Sequence, residues 1–252
     1  MATPNKGGLL VSLFLVGTLL LPFISSCGKG ANANASGLNT QLQIVYLSPD
    51  AQPTNLYLNT IKESATQYTY PNNSGYFFLS SLLPPVELRT ATVNALTVLR
   101  IDSALKPNSK YTLFVTGYRF GTDTTMDIKH SILSLDTATL PAIGRAKVRF
   151  ANTSPSSPNL DLRANDTTNK VLMDVHFNKI TPYVQLPVGN YNFTISNHAT
   201  PTKVEFTLPN IPLQDGRAYT IYTQGIVGRT DSVAFGANVL TNNLLLPSSQ
   251  QR

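Results

Sequence analysis

With 252 residues and a formal net charge of +6 from 19 basic and 13 acidic side chains, the chain is long enough for two domains of about 100 residues, each with its own core. Charged residues make up only 13% of it, and the densest basic run, Arg145, Lys147 and Arg149, alternates with Ala146, Val148 and Phe150, so it reads as one solvated strand face. A nucleic-acid partner is excluded, because that role calls for a basic patch interleaved with stacking aromatics.

At the N-terminus, Lys6 is followed by a nearly unbroken apolar run from Leu9 to Ile24, the layout of a secretory signal and too short for a bilayer-spanning helix of roughly 20 residues. Residues 1–26 are read as a signal peptide. The run ends in Ile24-Ser25-Ser26-Cys27, which resembles the bacterial lipobox, in which the cysteine thiol is acylated and becomes the first mature residue. Cys27 is the only cysteine of the chain and has no partner for a disulfide in an oxidising compartment, which fits a lipid attachment point. More than one acyl chain anchors stably where one is marginal, at about 0.8 kcal/mol per buried methylene. Residues 27–39, with GKGANANASGLN after the cysteine, form a tether too polar to fold.

The rest of the chain repeats itself. VYLSPDAQPTNLYLN (Val45 to Asn59) returns as FANTSPSSPNLDLRAN (Phe150 to Asn165), and KYTLFVTGY (Lys110 to Tyr118) returns as AYTIYTQGI (Ala218 to Ile226), at offsets of 106 and 108 residues. Two matches at nearly one offset define two copies of one module, placed at residues 40–136 and 145–246 with a linker at 137–144. Within each copy apolar residues alternate with polar ones, as in Tyr191, Phe193 and Ile195 or Val204, Phe206 and Leu208, the period of strands with one face in a core. Turn signals such as Ser154-Pro155, Val188-Gly189-Asn190 and Asp215-Gly216 separate them. The expected fold is all-β, two tandem immunoglobulin-like antiparallel β-sandwiches, with a closed barrel as the alternative. Gly117 and Gly225, at matched positions in strong strands, are expected at bulges or close backbone approaches.

Val148 to Pro155, Asn159 to Leu162, Tyr183 to Tyr191 and Gly216 to Gly225 together resemble the family known as domain of unknown function 4397, often found in tandem in secreted and lipid-anchored bacterial proteins of the Bacteroidetes type. The first copy departs from the pattern at Leu83-Pro84-Pro85-Val86-Glu87-Leu88, which lacks the glycine and the tyrosine, so its hairpin must turn differently. The resemblance implies a fold and no activity.

Chemistry is sparse. His130, His176 and His198 stand without another histidine or a carboxylate at a ligand spacing, there is no Gly-x-Ser-x-Gly elbow, and no phosphate-binding glycine loop occurs. The acidic stretches Asp123 to Asp127 and Asn165-Asp166 lack the alternation of a calcium loop and read as local backbone caps. No enzyme, cofactor or metal site is expected. Five of the ten aspartates precede Ser or Thr, where about two would by chance. The central hydroxyls, Ser103, Thr124, Thr137, Thr167 and Ser232, resemble acceptors of the O-glycosylation system of exported Bacteroidetes proteins; turn chemistry is the other reading.

The sequence thus leads to a non-catalytic, lipid-anchored envelope protein, anchored in the outer membrane with the periplasmic face favoured slightly over the surface. Its partners are then the membrane through Cys27 and either an envelope protein docked on the modules, which would otherwise serve as a spacer, or a glycan. Eleven tyrosines could supply a stacking platform for a polysaccharide, though tryptophan is absent.

Overall fold

The computed structural model describes residues 39–63, 65–136, 138–165 and 170–242. The signal peptide, Cys27, the tether up to Leu38, Thr137 and Thr167 lie outside the described residues. The first copy contributes β1 (Gln41–Tyr46), β2 (Thr54–Leu58), β3 (Ile61–Lys62), β4 (Asn72–Phe78), β5 (Val86–Thr90), β6 (Thr97–Ile101), β7 (Lys110–Val115) and β8 (Ile132–Leu135). The second contributes β9 (Arg145–Asn152), β10 (Leu160–Ala164), β11 (Lys170–Val175), β12 (Lys179–Ile180), β13 (Val184–Pro187), β14 (Gly189–Asn197), β15 (Val204–Leu213), β16 (Ala218–Gln224) and β17 (Gly236–Asn242).

Each copy folds as two sheets enclosing a core. In the first, β4-β1-β7-β8 faces β3-β2-β5-β6; in the second, β12-β9-β16-β17, with β13 also on β9, faces β11-β10-β14-β15. These are open sheets, so the architecture is a pair of sandwiches. Pairing is antiparallel with one exception in each copy, because β1 runs parallel to β7 and β9 parallel to β16. Alternation specifies which face of a strand is buried and leaves the direction of its neighbour open.

The predicted period is present in the cores. Leu42, Ile44 and Tyr46 of β1 meet Leu56, Leu88, Leu99, Leu113 and Val115 in the first; Ala146, Val148 and Phe150 of β9 meet Leu160, Leu162, Phe193, Ile195 and Ile221 in the second. The residues between them, expected in water, are also apolar at several places. Val45, Leu47 and Phe114 of the first copy join Ala151, Tyr222 and Leu240 of the second in a third buried cluster, bordered by Ile132 and Ile180. The sheet holding β1 and β7 therefore packs its outer face on that of the sheet holding β9 and β16, giving four layers of sheet. All six residues of β7 are buried for this reason.

The repeated motifs have repeated jobs. The Tyr111 hydroxyl accepts a hydrogen bond from the Lys106 amide at 3.0 Å, and that of Tyr219 accepts one from the Gln214 amide at 3.0 Å. Both are tyrosine corners that tie the start of a strand to the chain just upstream, and they account for the shared Tyr-Thr. The serines of the two Ser-Pro steps act alike, Ser48 donating to the Gly117 carbonyl at 2.7 Å and Ser154 to that of Gly225 at 2.6 Å. Those glycines mark close approaches, as expected. Their φ values are +93° and +70°, and an added Cβ would lie 2.5 Å from the Met126 carbonyl oxygen and 2.1 Å from that of Ala234. In the second copy Pro187 and Gly189 lead from β13 into β14, with the Tyr191 hydroxyl donating to the Pro187 carbonyl at 3.0 Å; the first copy enters β5 from a proline loop instead.

Candidate functional site at the module junction

The largest departure from the sequence reading is at Arg149. Of the three alternating cations, Arg145 is exposed and Lys147 half-buried, its Nζ donating to Thr139 Oγ1 at 2.8 Å, but Arg149 is 4% exposed. The solvated-face reading fails there because the outer sheet of the first module covers this face, and because Asp136, at the end of β8, supplies a carboxylate that is 1% exposed.

The two make an ion pair through Arg149 Nη2 and Asp136 Oδ1. Asp136 Oδ2 accepts from Thr112 Oγ1 at 2.6 Å and from the Tyr76 hydroxyl at 2.8 Å. Asn242 Nδ2 donates to that hydroxyl at 2.8 Å, Thr220 Oγ1 donates to Asn242 Oδ1 at 2.6 Å, and Arg149 Nε donates to Thr220 Oγ1 at 2.8 Å. A closed ring of five side chains, two from the first module and three from the second, thus runs through the junction. Arg149 Nη1 also donates to Ser134 Oγ at 2.8 Å, and its guanidinium lies 4.6 Å from the centre of the Tyr183 ring. Burial pushes the Asp136 carboxyl above its ordinary value, while Arg149 and the two hydroxyls pull it back toward the charged form. Burial also raises Tyr76, which faces the same carboxylate. Satisfied in this way, a buried pair tolerates its desolvation; with one member missing, the other is a buried charge without a counterion.

The apolar part of the junction adjoins this ring. Phe114 and Tyr222 pack with ring centroids 5.8 Å apart, and the Tyr222 hydroxyl is raised to about 12 by burial. Beyond them, Thr116 Oγ1 donates to the carbonyl of Thr153, a further link between modules.

The histidines, isolated in sequence, are not all isolated in space. His198 Nδ1 lies 2.7 Å from Asp161 Oδ1 and its Nε2 lies 3.8 Å from Asp174 Oδ1, while His176 Nε2 is 3.9 Å from Asp174 Oδ2. Strands β10 and β11 and the end of β14 bring these four together across 37 residues, which no local spacing could reveal. Among the described residues, no group of three or more His, Cys, Asp or Glu is placed so that it could hold a metal ion. His130 Nε2 lies 3.1 Å from the Thr124 carbonyl oxygen.

Of the proposed glycan acceptors, Ser103, Thr124 and Ser232 are exposed, and Thr137 and Thr167 fall outside the described residues, as does Cys27. Two of the aspartates that precede them cap their own turns: Asp123 Oδ1 accepts from the Thr125 amide at 2.9 Å, and Asp231 Oδ1 from the Val233 amide at 3.3 Å, the turn chemistry of such residues. All eleven tyrosines lie in described segments; five are buried and six half-buried. Among the described residues, no helix is long and apolar enough to cross a membrane.

No curated protein matches the chain. The family model described as a domain of unknown function, DUF4397, matches it twice, over residues 40–163 and 146–251. The two matches run in tandem through both sandwiches and overlap over residues 146–163, which take in most of β9, the loop after it and most of β10, so the chain belongs to the DUF4397 family.

Proposed function

We propose that this is a non-catalytic, lipid-anchored protein of the cell envelope, held in the outer membrane through Cys27, whose two modules act together as a stiff spacer or a docking surface for an envelope protein. The observation that supports the reading is the junction. Two sandwiches joined by a flexible linker could swing, but here an apolar cluster and a closed polar ring are buried between them. A body of fixed shape suits holding a partner at a set distance from a membrane. The exposed hydroxyls of Ser103, Thr124 and Ser232 are available as O-glycan acceptors in the same reading.

Intact-mass analysis of the protein from cells, with protease shaving of those cells, tests it. An N-terminal diacyl or triacyl Cys27 resistant to shaving supports an anchored, periplasmic protein, and shaving moves the modules to the surface. A mature protein without acyl mass overturns the anchor, and hexose-containing mass on the named hydroxyls is expected if they are acceptors.

A further inference from the structure

The junction is built from one surface used twice. The repeat makes Thr112 equivalent to Thr220 and Phe114 to Tyr222. In the parallel ladders Thr112 pairs with Gln43 and Thr220 with Arg149, making those two equivalent. Asp136 and Asn242 stand opposite Lys110 and Ala218 at corresponding strand ends. Gln43 faces Tyr76 across β4, and the β13–β9 ladder, continued by one residue, sets Tyr183 opposite Arg149. The junction ring and its neighbours draw on all of these positions. Phe114 and Tyr222, equivalents of one another, touch, as a residue on a twofold axis touches its own copy.

The copies differ in charge at two of these positions, where Gln43 corresponds to Arg149 and Asp136 to Asn242. Between two first-module surfaces, each Asp136 would meet a Gln43; between two second-module surfaces, each Arg149 would meet an Asn242. Neither arrangement gives the buried charge a counterion from across the junction, and only a first module against a second does. Lys110, whose Nζ lies 4.7 Å from the centre of the Tyr76 ring, belongs to the first module in every arrangement and does not discriminate among them.

We infer that this face is a self-complementary pairing surface, made selective for the unlike module by the Arg149–Asp136 pair, and that a second copy of this chain supplies the unlike module when two chains exchange modules about residues 137–144. Eight extended residues span at most about 28 Å, which lets two chains trade modules without breaking either core. Exchange of identical elements between chains is a low-cost route to dimers.

Two variants of the full mature chain, D136N and R149Q, carrying different mass tags, are unfolded together and refolded at equal concentration, and the dimers are counted by native mass spectrometry. Each variant alone leaves a buried charge without its partner across every junction it can form. Their exchanged heterodimer has one intact Arg149–Asp136 pair and one neutral amide pair, so it should exceed either homodimer at least tenfold. Statistical proportions of the three dimers, or monomers alone, overturn the inference. Should either single variant fail to refold, the quadruple variant Q43R/D136N/R149Q/N242D tests the symmetry directly, since it moves the ion pair to the twofold-related position. It should be more stable than the D136N/R149Q double variant, with a midpoint of denaturation at or near that of the wild type; no gain over the double variant overturns the self-complementarity.

Discussion

Replacing Phe114 by alanine separates the junction from the core beside it. The ring is fully buried, yet it points away from its own module: Leu113 and Val115, its sequence neighbours, belong to the core of the first sandwich, and Phe114 belongs to the cluster shared with the second. Deleting a buried phenylalanine ring costs about 3–5 kcal/mol, of which about 0.5–1.5 kcal/mol reflects the contact with Tyr222. That loss falls on the junction, so the wild-type chain should unfold in one transition and Phe114→Ala in two, with the particle longer in small-angle scattering before either module melts. Leu113→Ala, at a site equally buried, should instead lower the first module by about 2–5 kcal/mol. Denaturant titration followed by near-ultraviolet circular dichroism of the tyrosines distinguishes them. If Phe114→Ala melts as Leu113→Ala does and leaves the scattering dimensions unchanged, the division of faces described above is wrong.

Three further outcomes follow from the same geometry. Gly225→Ala should cost about 2 kcal/mol or more beyond Gly216→Ala in a thermal melt, since both glycines have positive φ but only the first has a carbonyl oxygen where the Cβ would go. Tyr111→Phe and Tyr219→Phe should each cost about 1–3 kcal/mol in denaturant unfolding, because each strands an amide that the lost hydroxyl had satisfied. At high pH the buried phenols destabilise the fold. Tyr46 and Tyr222 are raised from 10.0 to about 12, so their contribution is complete below pH 10 and is lost as pH rises toward 12, at roughly 3 kcal/mol for each. Tyrosinate absorbance should therefore grow together with unfolding, and a Tyr222→Phe chain should show a shallower loss.

What the sequence discloses is what local alternation encodes. The strands around Phe150 and Phe193 and the glycines at 117 and 225 could be read because period two and matched repeats are properties of neighbouring residues. Arg149 could not, because a cation two steps from Lys147 and four from Arg145 has the same pattern whether water or a second sheet lies over it. Its distinguishing signal was elsewhere: the equivalent position in the first copy is Gln43, uncharged, and an aspartate stands at 136 where the second copy has Asn242. Comparing the copies position by position on their outer faces would have exposed that asymmetry. The pairing of His198 with Asp161 was hidden for another reason, since it depends on which strands become neighbours.

The parallel pairing of β1 with β7 also bears on how the protein carries load. A pull on the chain ahead of Gln41 enters at the start of β1, and a load farther along the chain opposes it. Because the two strands run in the same direction through six paired positions, from Gln41 with Lys110 to Tyr46 with Val115, such a force slides β1 along β7 and strains the ladder's hydrogen bonds together. An antiparallel hairpin pulled at its open end would instead lose its bonds singly, in succession. Tension applied at the start of β1 thus loads the first module in shear, the direction in which a ladder of backbone hydrogen bonds is hardest to break.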